Sequence, residues 1–175
     1  MRRNSEKLGF YDSFPRKVHK TARFLSSASE RRLQETLIRV LHKLNEQSFR
    51  MDEILDTAED HRLVVFEFGV AEGNNFTFLD EEEANGMLRV VSRTPFQSID
   101  LLCAIGYYKL RKEKKTPLRF DYYMLRLRFD QKSVEIQVFH ERGPMRLSPE
   151  DIPWFLADKI NEVHSRKVLR TSGFS

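Results

Sequence analysis

Leu118–His140, LRFDYYMLRLRFDQKSVEIQVFH, decides the fold. It reads as an adjacent strand pair, because side chains alternate between the two faces of a strand. In the first strand Phe120, Tyr122, Met124, Arg126 and Arg128 point one way. Asp121, Tyr123, Leu125, Leu127 and Phe129 point the other way. The second strand sets Val134, Ile136, Val138 and His140 against Glu135, Gln137 and Phe139. The apolar rows belong together on a core, which leaves a second face mixing aromatics with arginines.

Working outward, Ile99–Leu110 fits both a strand alternation and a helical stripe. The strand reading is preferred, since with the pair that follows it makes a three-stranded meander, entered through a basic turn at Lys112–Pro117. Leu63–Phe68 and Asn75–Leu79 form an earlier hairpin around Glu72-Gly73-Asn74. Three helices are announced by their starts. Ser27 with Glu30 has capping-box spacing ahead of the stripe Leu33, Leu37, Val40, Leu41, Leu44, running to about Gln47. Asp80 with Glu83 opens a second helix that ends by Ser92, ahead of Pro95. Ser148-Pro149-Glu150-Asp151 opens the last, with Pro153 leaving Asp151 as an alternative cap. A short helix is expected over 51–59. The expected fold is α+β: one domain with an antiparallel sheet of about five strands (hairpin, helix, meander) and N- and C-terminal helices packed on it. Residues 26–165 form the domain, flanked by a basic N-terminal arm over 1–25 and a basic tail over 166–175.

The chain has 175 residues with fourteen Phe, seven Gly and six Pro, enough apolar content for a core and too little Gly and Pro for a disordered polymer. The one cysteine, Cys103, sits in the apolar run IDLLCAI and is expected as a buried thiol. No apolar run is long enough to cross a bilayer, and the charged N-terminus lacks the apolar stretch of a secretory signal, so a soluble cytoplasmic protein is expected. Abundant Lys, Arg and Glu lean toward the composition of heat-adapted proteins.

Charge is segregated. Residues 51–83 carry eleven acids against Arg62 alone, a net charge of −10, so the remainder carries +14. Much of that lies in the arm (Arg2, Arg3, Lys7, Arg16, Lys17, Lys20, Arg23), in KLRKEKKTPLR (Lys109, Arg111, Lys112, Lys114, Lys115, Arg119) and in the tail (Arg166, Lys167, Arg170). Such clusters suit phosphate binding, and they also suit attraction to an acidic surface.

No phosphate loop, dinucleotide fingerprint or nucleophile elbow is present, and the five histidines are scattered, so neither cofactor nor metal is expected. A carboxylate paired with Glu-x-Lys, as in metal nucleases, is approached by Asp121 and Glu135-Ile136-Gln137. Gln137 stands where Lys is needed, and alternation puts the two acids on opposite faces. The loop His140–Arg146 could hold an anion near the last helix with Arg142 and Arg146; alternatively, those arginines pair with acids such as Glu150 and Asp151.

The leading expectation is a non-catalytic nucleic-acid-binding or nucleic-acid-assembly protein. The N-terminal arm with Lys109, Arg111, Lys112, Lys114, Lys115 and Arg119 would meet most RNA or DNA phosphates, supplemented by Arg126, Arg128, Arg142 and Arg146. Phe120, Tyr122 and Phe139 would stack on bases unless a helix or the aromatic arm covers them. The alternatives are a protein-interaction subunit or homodimer joined by acidic and basic surfaces, and an enzyme acting on a phosphorylated substrate through the His140–Arg146 loop.

Overall fold

The computed structural model describes residues 7–55 and 62–172. Arg2, Arg3, Asp56, Glu59 and Asp60 lie outside them, as do residues 56–59 of the helix expected over 51–59. The observed order is β1 (Lys20–Ser26), α1 (Glu30–Leu44), β2 (Ser48–Arg50), α2 (Met51–Ile54), β3 (Leu63–Glu72), β4 (Asn75–Phe78), α3 (Glu81–Arg93), β5 (Ser98–Arg111), β6 (Lys114–Pro117), β7 (Asp121–Asp130), β8 (Ser133–Arg142), α4 (Asp151–Val163) and β9 (Leu169–Thr171). The class is α+β with one antiparallel sheet, of nine strands among the described residues, not five. Its order is β2-β3-β5-β7-β8-β1-β9, with β4 on β3 and β6 on β5.

Four of the strands went unread for physical reasons. β2, β6 and β9 are three or four residues long and show no periodicity of their own. In β1, KTARFLS, only Phe24 is fully buried, so the segment reads as part of an arm although it pairs with β8 along Lys20–Leu25. The arm therefore ends at His19, and the C-terminal tail contributes β9 against β1. The 98–111 segment is a strand, as preferred.

Val64, Phe66 and Phe68 of β3, Leu101 and Ile105 of β5, Leu125 and Leu127 of β7, and Ile136 and Val138 of β8 form one buried cluster with Leu37, Leu41, Met87 and Leu156 of the helices. Side-chain amides tie the helices down. Gln34 brackets the Phe96 backbone, donating to its carbonyl and accepting from its N–H at 2.7 Å each. Asn45 does the same between Phe68 and Leu79, and Asn161 between Val168 and Leu169. Each satisfies backbone groups that would otherwise be buried unpaired. The first helix is capped by Ser29, not Ser27. Asp80 caps α3 as expected, and α4 starts at Asp151 after a turn in which Ser148 N–H donates to the Asp151 carboxylate.

The opposite sheet face is partly covered by the arm. Gly9 and Asp12 donate to the carbonyls of Ala71 and Gly73, and Tyr11 N–H donates to Asp100. Phe10 and Phe14 then lie over Arg126, and His19 stacks on Phe139 with ring centroids 4.8 Å apart. None of the described helices is long and apolar enough to cross a membrane.

Candidate functional site

β5 outruns its neighbours. Its pairing with β3 ends at Leu63–Tyr108, and from Lys109 onward its only strand partner among the described residues is β6. The result is a two-stranded ribbon reaching about 13 Å past the sheet. Every residue from Lys109 to Pro117 is exposed. Sequence reading placed a basic turn here; the structure makes it a hairpin whose two-residue loop is Lys112-Glu113, with φ of 46° and 68°. Positive φ at both positions is the type I′ geometry that Asn and Gly adopt without penalty. A Lys and a Glu held there cost on the order of 1 kcal/mol each.

The ribbon carries five cations and one acid. Alternation from buried Tyr107 puts Lys109 and Arg111 on the helix side, where Lys114 pairs directly opposite Arg111. Like charges facing across a strand pair repel. Leu110, Lys115, Pro117 and Tyr108 line the other side. None of Lys109, Arg111, Lys112, Lys114, Lys115 or Arg119 makes an ion pair among the described residues.

At the ribbon's foot sits a row of half-buried rings. Tyr108 and Phe120 meet edge to face at 6.1 Å, and Phe120 and Tyr122 are tilted at 6.5 Å. The Phe120 ring occupies the space above Gly106, where a β-carbon would fall 2.7 Å from its tip. The Arg142 guanidinium lies 4.1 Å over Tyr122, its register partner on β8.

Beneath this surface, on the helix side, Asp121 is completely buried. It accepts four hydrogen bonds: from the Tyr107 hydroxyl (2.6 Å), His140 Nε2 (2.9 Å), Met145 N–H (2.6 Å) and Arg146 N–H (2.8 Å). Tyr107 precedes the ribbon, Asp121 follows it, and His140 and Arg146 flank the loop after β8, so one carboxylate braces all three. Burial alone would raise its pKa, but the donors outweigh burial and hold it below the usual 3.8. The Tyr107 hydroxyl is pushed up by burial and by the carboxylate it serves. Gly143 has φ of 112°, and a side chain there would collide with the Phe120 carbonyl and Asp121; Met145 has φ of 56°. The His140 backbone N–H in turn donates to His19 Nδ1 at 2.9 Å.

The expected site residues therefore separate. Lys109, Arg111, Lys112, Lys114, Lys115, Arg119, Phe120, Tyr122 and Arg142 gather at the ribbon end. Arg146 lies beside them, its guanidinium 5.5 Å over the Tyr107 ring and its Nε buried without a hydrogen-bond partner. Among the described residues neither Arg142 nor Arg146 pairs with a carboxylate; Glu150 meets Lys20 instead. Arg126 does not join the expected phosphate set, because its Nε and Nη2 donate to the two carboxylate oxygens of buried Asp100 at 2.7 Å each, under the arm's aromatics. Phe139 lies beneath His19. Arg128 is exposed but pairs with Ser98, about 20 Å along the sheet from Tyr122. Asp121 and Glu135 do face opposite sides, and among the described residues no cluster could hold a metal. Sequence reading missed Tyr108, which continues the outer row of β5, and missed Asp121 as a brace. The signal for the latter was an acid in an otherwise apolar core row.

Among the described residues the acids of the 51–83 segment are spread along the sheet. Asp52 and Glu53, each 3.3 Å from Arg50, lie at the ribbon end of the sheet, since Arg50 pairs with Leu63 and Leu63 with Tyr108. Glu72 is at the far end of β3, about 30 Å away. Comparison with family models, curated proteins and solved structures finds no match to this chain.

Proposed function

We propose that the protein binds nucleic acid through the β5–β6 ribbon and the surface at its foot, as a non-catalytic accessory protein. The observation that carries this reading is the ribbon itself: a projecting basic hairpin with opposed like charges, no ion pairs among the described residues and a charged tip in a strained turn. Phosphate would relieve the Arg111–Lys114 repulsion, and a two-stranded ribbon has the dimensions to enter a nucleic-acid groove. Lys109, Arg111, Lys112, Lys114 and Lys115 meet phosphate; Arg119, Arg142 and Arg146 extend the contact along the foot.

Charge reversal tests this directly. Lys112→Glu, Lys114→Glu and Lys115→Glu together should weaken binding to labelled RNA and DNA by about a hundredfold or more at low salt and flatten its salt dependence. Because all three side chains are exposed, melting temperature should stay within a few degrees of wild type. Unchanged affinity in the triple variant would refute the proposal.

A further inference from the structure

We infer that the surface at the ribbon's foot selects single-stranded nucleic acid, with unpaired bases stacking on Tyr108, Phe120 and Tyr122. This rests on the nucleic-acid reading above and adds the form of strand recognised.

The sheet face is divided. The arm's aromatic cover ends at Arg126 and Phe139, which are held under Phe10, Phe14 and His19. Tyr108, Phe120 and Tyr122 lie beyond that cover and remain half exposed. Their order along the surface follows from pairing and ring contact: Tyr108 at the ribbon root, Phe120 between, Tyr122 next to Arg142. Three rings in a row with cations at both ends match what a single strand presents, an apolar face on each base and a phosphate between successive bases. Aromatic faces and guanidinium planes both accept a splayed base, and every base has such a face. Arg142 stacked on Tyr122 prolongs the row, while Lys115 on the same side of the ribbon and exposed Arg119 take the backbone.

The row is built into the backbone. The Phe120 ring end fills the place of a side chain at 106, so Gly106 is what allows the ring to reach across β5. Asp121 holds the next residue fixed by accepting from Tyr107 and from the loop amides. A base pair hides its faces inside the helical stack, so a duplex could engage the ribbon's cations but not these rings.

The test compares a short labelled single-stranded RNA, the DNA of the same sequence and its duplex, by fluorescence polarisation at low salt. Wild type should bind both single strands more tightly than duplex. Tyr108→Ala with Tyr122→Ala should weaken single-strand binding by about tenfold or more, with duplex affinity within about twofold. Tyr108→Phe with Tyr122→Phe should restore it, since the rings and not the hydroxyls stack. Circular dichroism on each variant separates lost stacking from lost fold. Equal losses on single strands and duplex, or no loss on either, would overturn the single-strand assignment while leaving the ribbon's phosphate role to the charge-reversal result. Absence of binding by wild type to all three probes would overturn both. A difference between the RNA and DNA single strands tells whether the 2′-hydroxyl is also read.

Discussion

Asp121→Ala is expected to cost about 3–5 kcal/mol, lowering the melting temperature by roughly 10 °C. The side chain is fully buried, and its removal leaves the Tyr107 hydroxyl, His140 and two backbone amides without their acceptor at once. Asp121→Asn keeps the shape but turns a donor toward some of those donors, so it should fall between wild type and Ala. The pH dependence has a definite sign. The folded carboxyl titrates below its free value of 3.8, so its contribution is complete above that value and is lost as pH falls through the folded pKa. The stability gap between wild type and Asp121→Asn should therefore be widest near neutrality and narrow below about pH 4. The amides of Met145 and Arg146 should also lose hydrogen-exchange protection in the variant before the strands do, because the loop loses its brace while the sheet keeps its ladder.

Arg126→Ala should cost a comparable 3–5 kcal/mol, read as a shift in the urea midpoint. Asp100 is fully buried, and without the bidentate guanidinium its carboxylate keeps, among the described residues, the Tyr11 N–H alone, 2.8 Å from Oδ2. The cost is that of an uncompensated charge, so the double variant Asp100→Asn/Arg126→Met should recover most of the stability while Asn still accepts from Tyr11. The same pair separates structure from binding. Near-native nucleic-acid affinity in the double variant would place Arg126 in the fold; selective loss of binding with stability intact would return it to the interface.

Why sequence reading reached some of this and not the rest follows from where the signal lies. The faces of β7 and β8 were legible because burial of one face imposes strict alternation, and the alternating rows read from Phe120–Phe129 and Val134–His140 are those observed. The capping of α3 by Asp80 was legible because it is local, one side chain and one amide three residues on. The ribbon was not legible as strand: Lys114–Pro117 has the polar composition of a loop, and only pairing with β5 makes it extended. The fate of the mixed face was beyond local reading for the same reason. Arg126 and Tyr122 stand on one row of one strand, yet the arm, more than a hundred residues earlier, covers the first and leaves the second. The open alternative that an aromatic arm covers that face was correct for Arg126 and Phe139 alone.

The most direct measurement is the affinity of wild type for a labelled single-stranded RNA and a duplex DNA across a salt series. If the five ribbon cations meet phosphate, binding is micromolar or tighter at low salt and log K falls against log salt with a slope of roughly −3.5 to −4.5 from these five, steeper as Arg119, Arg142 and Arg146 join. No binding at low salt, or an affinity indifferent to salt, would contradict the account.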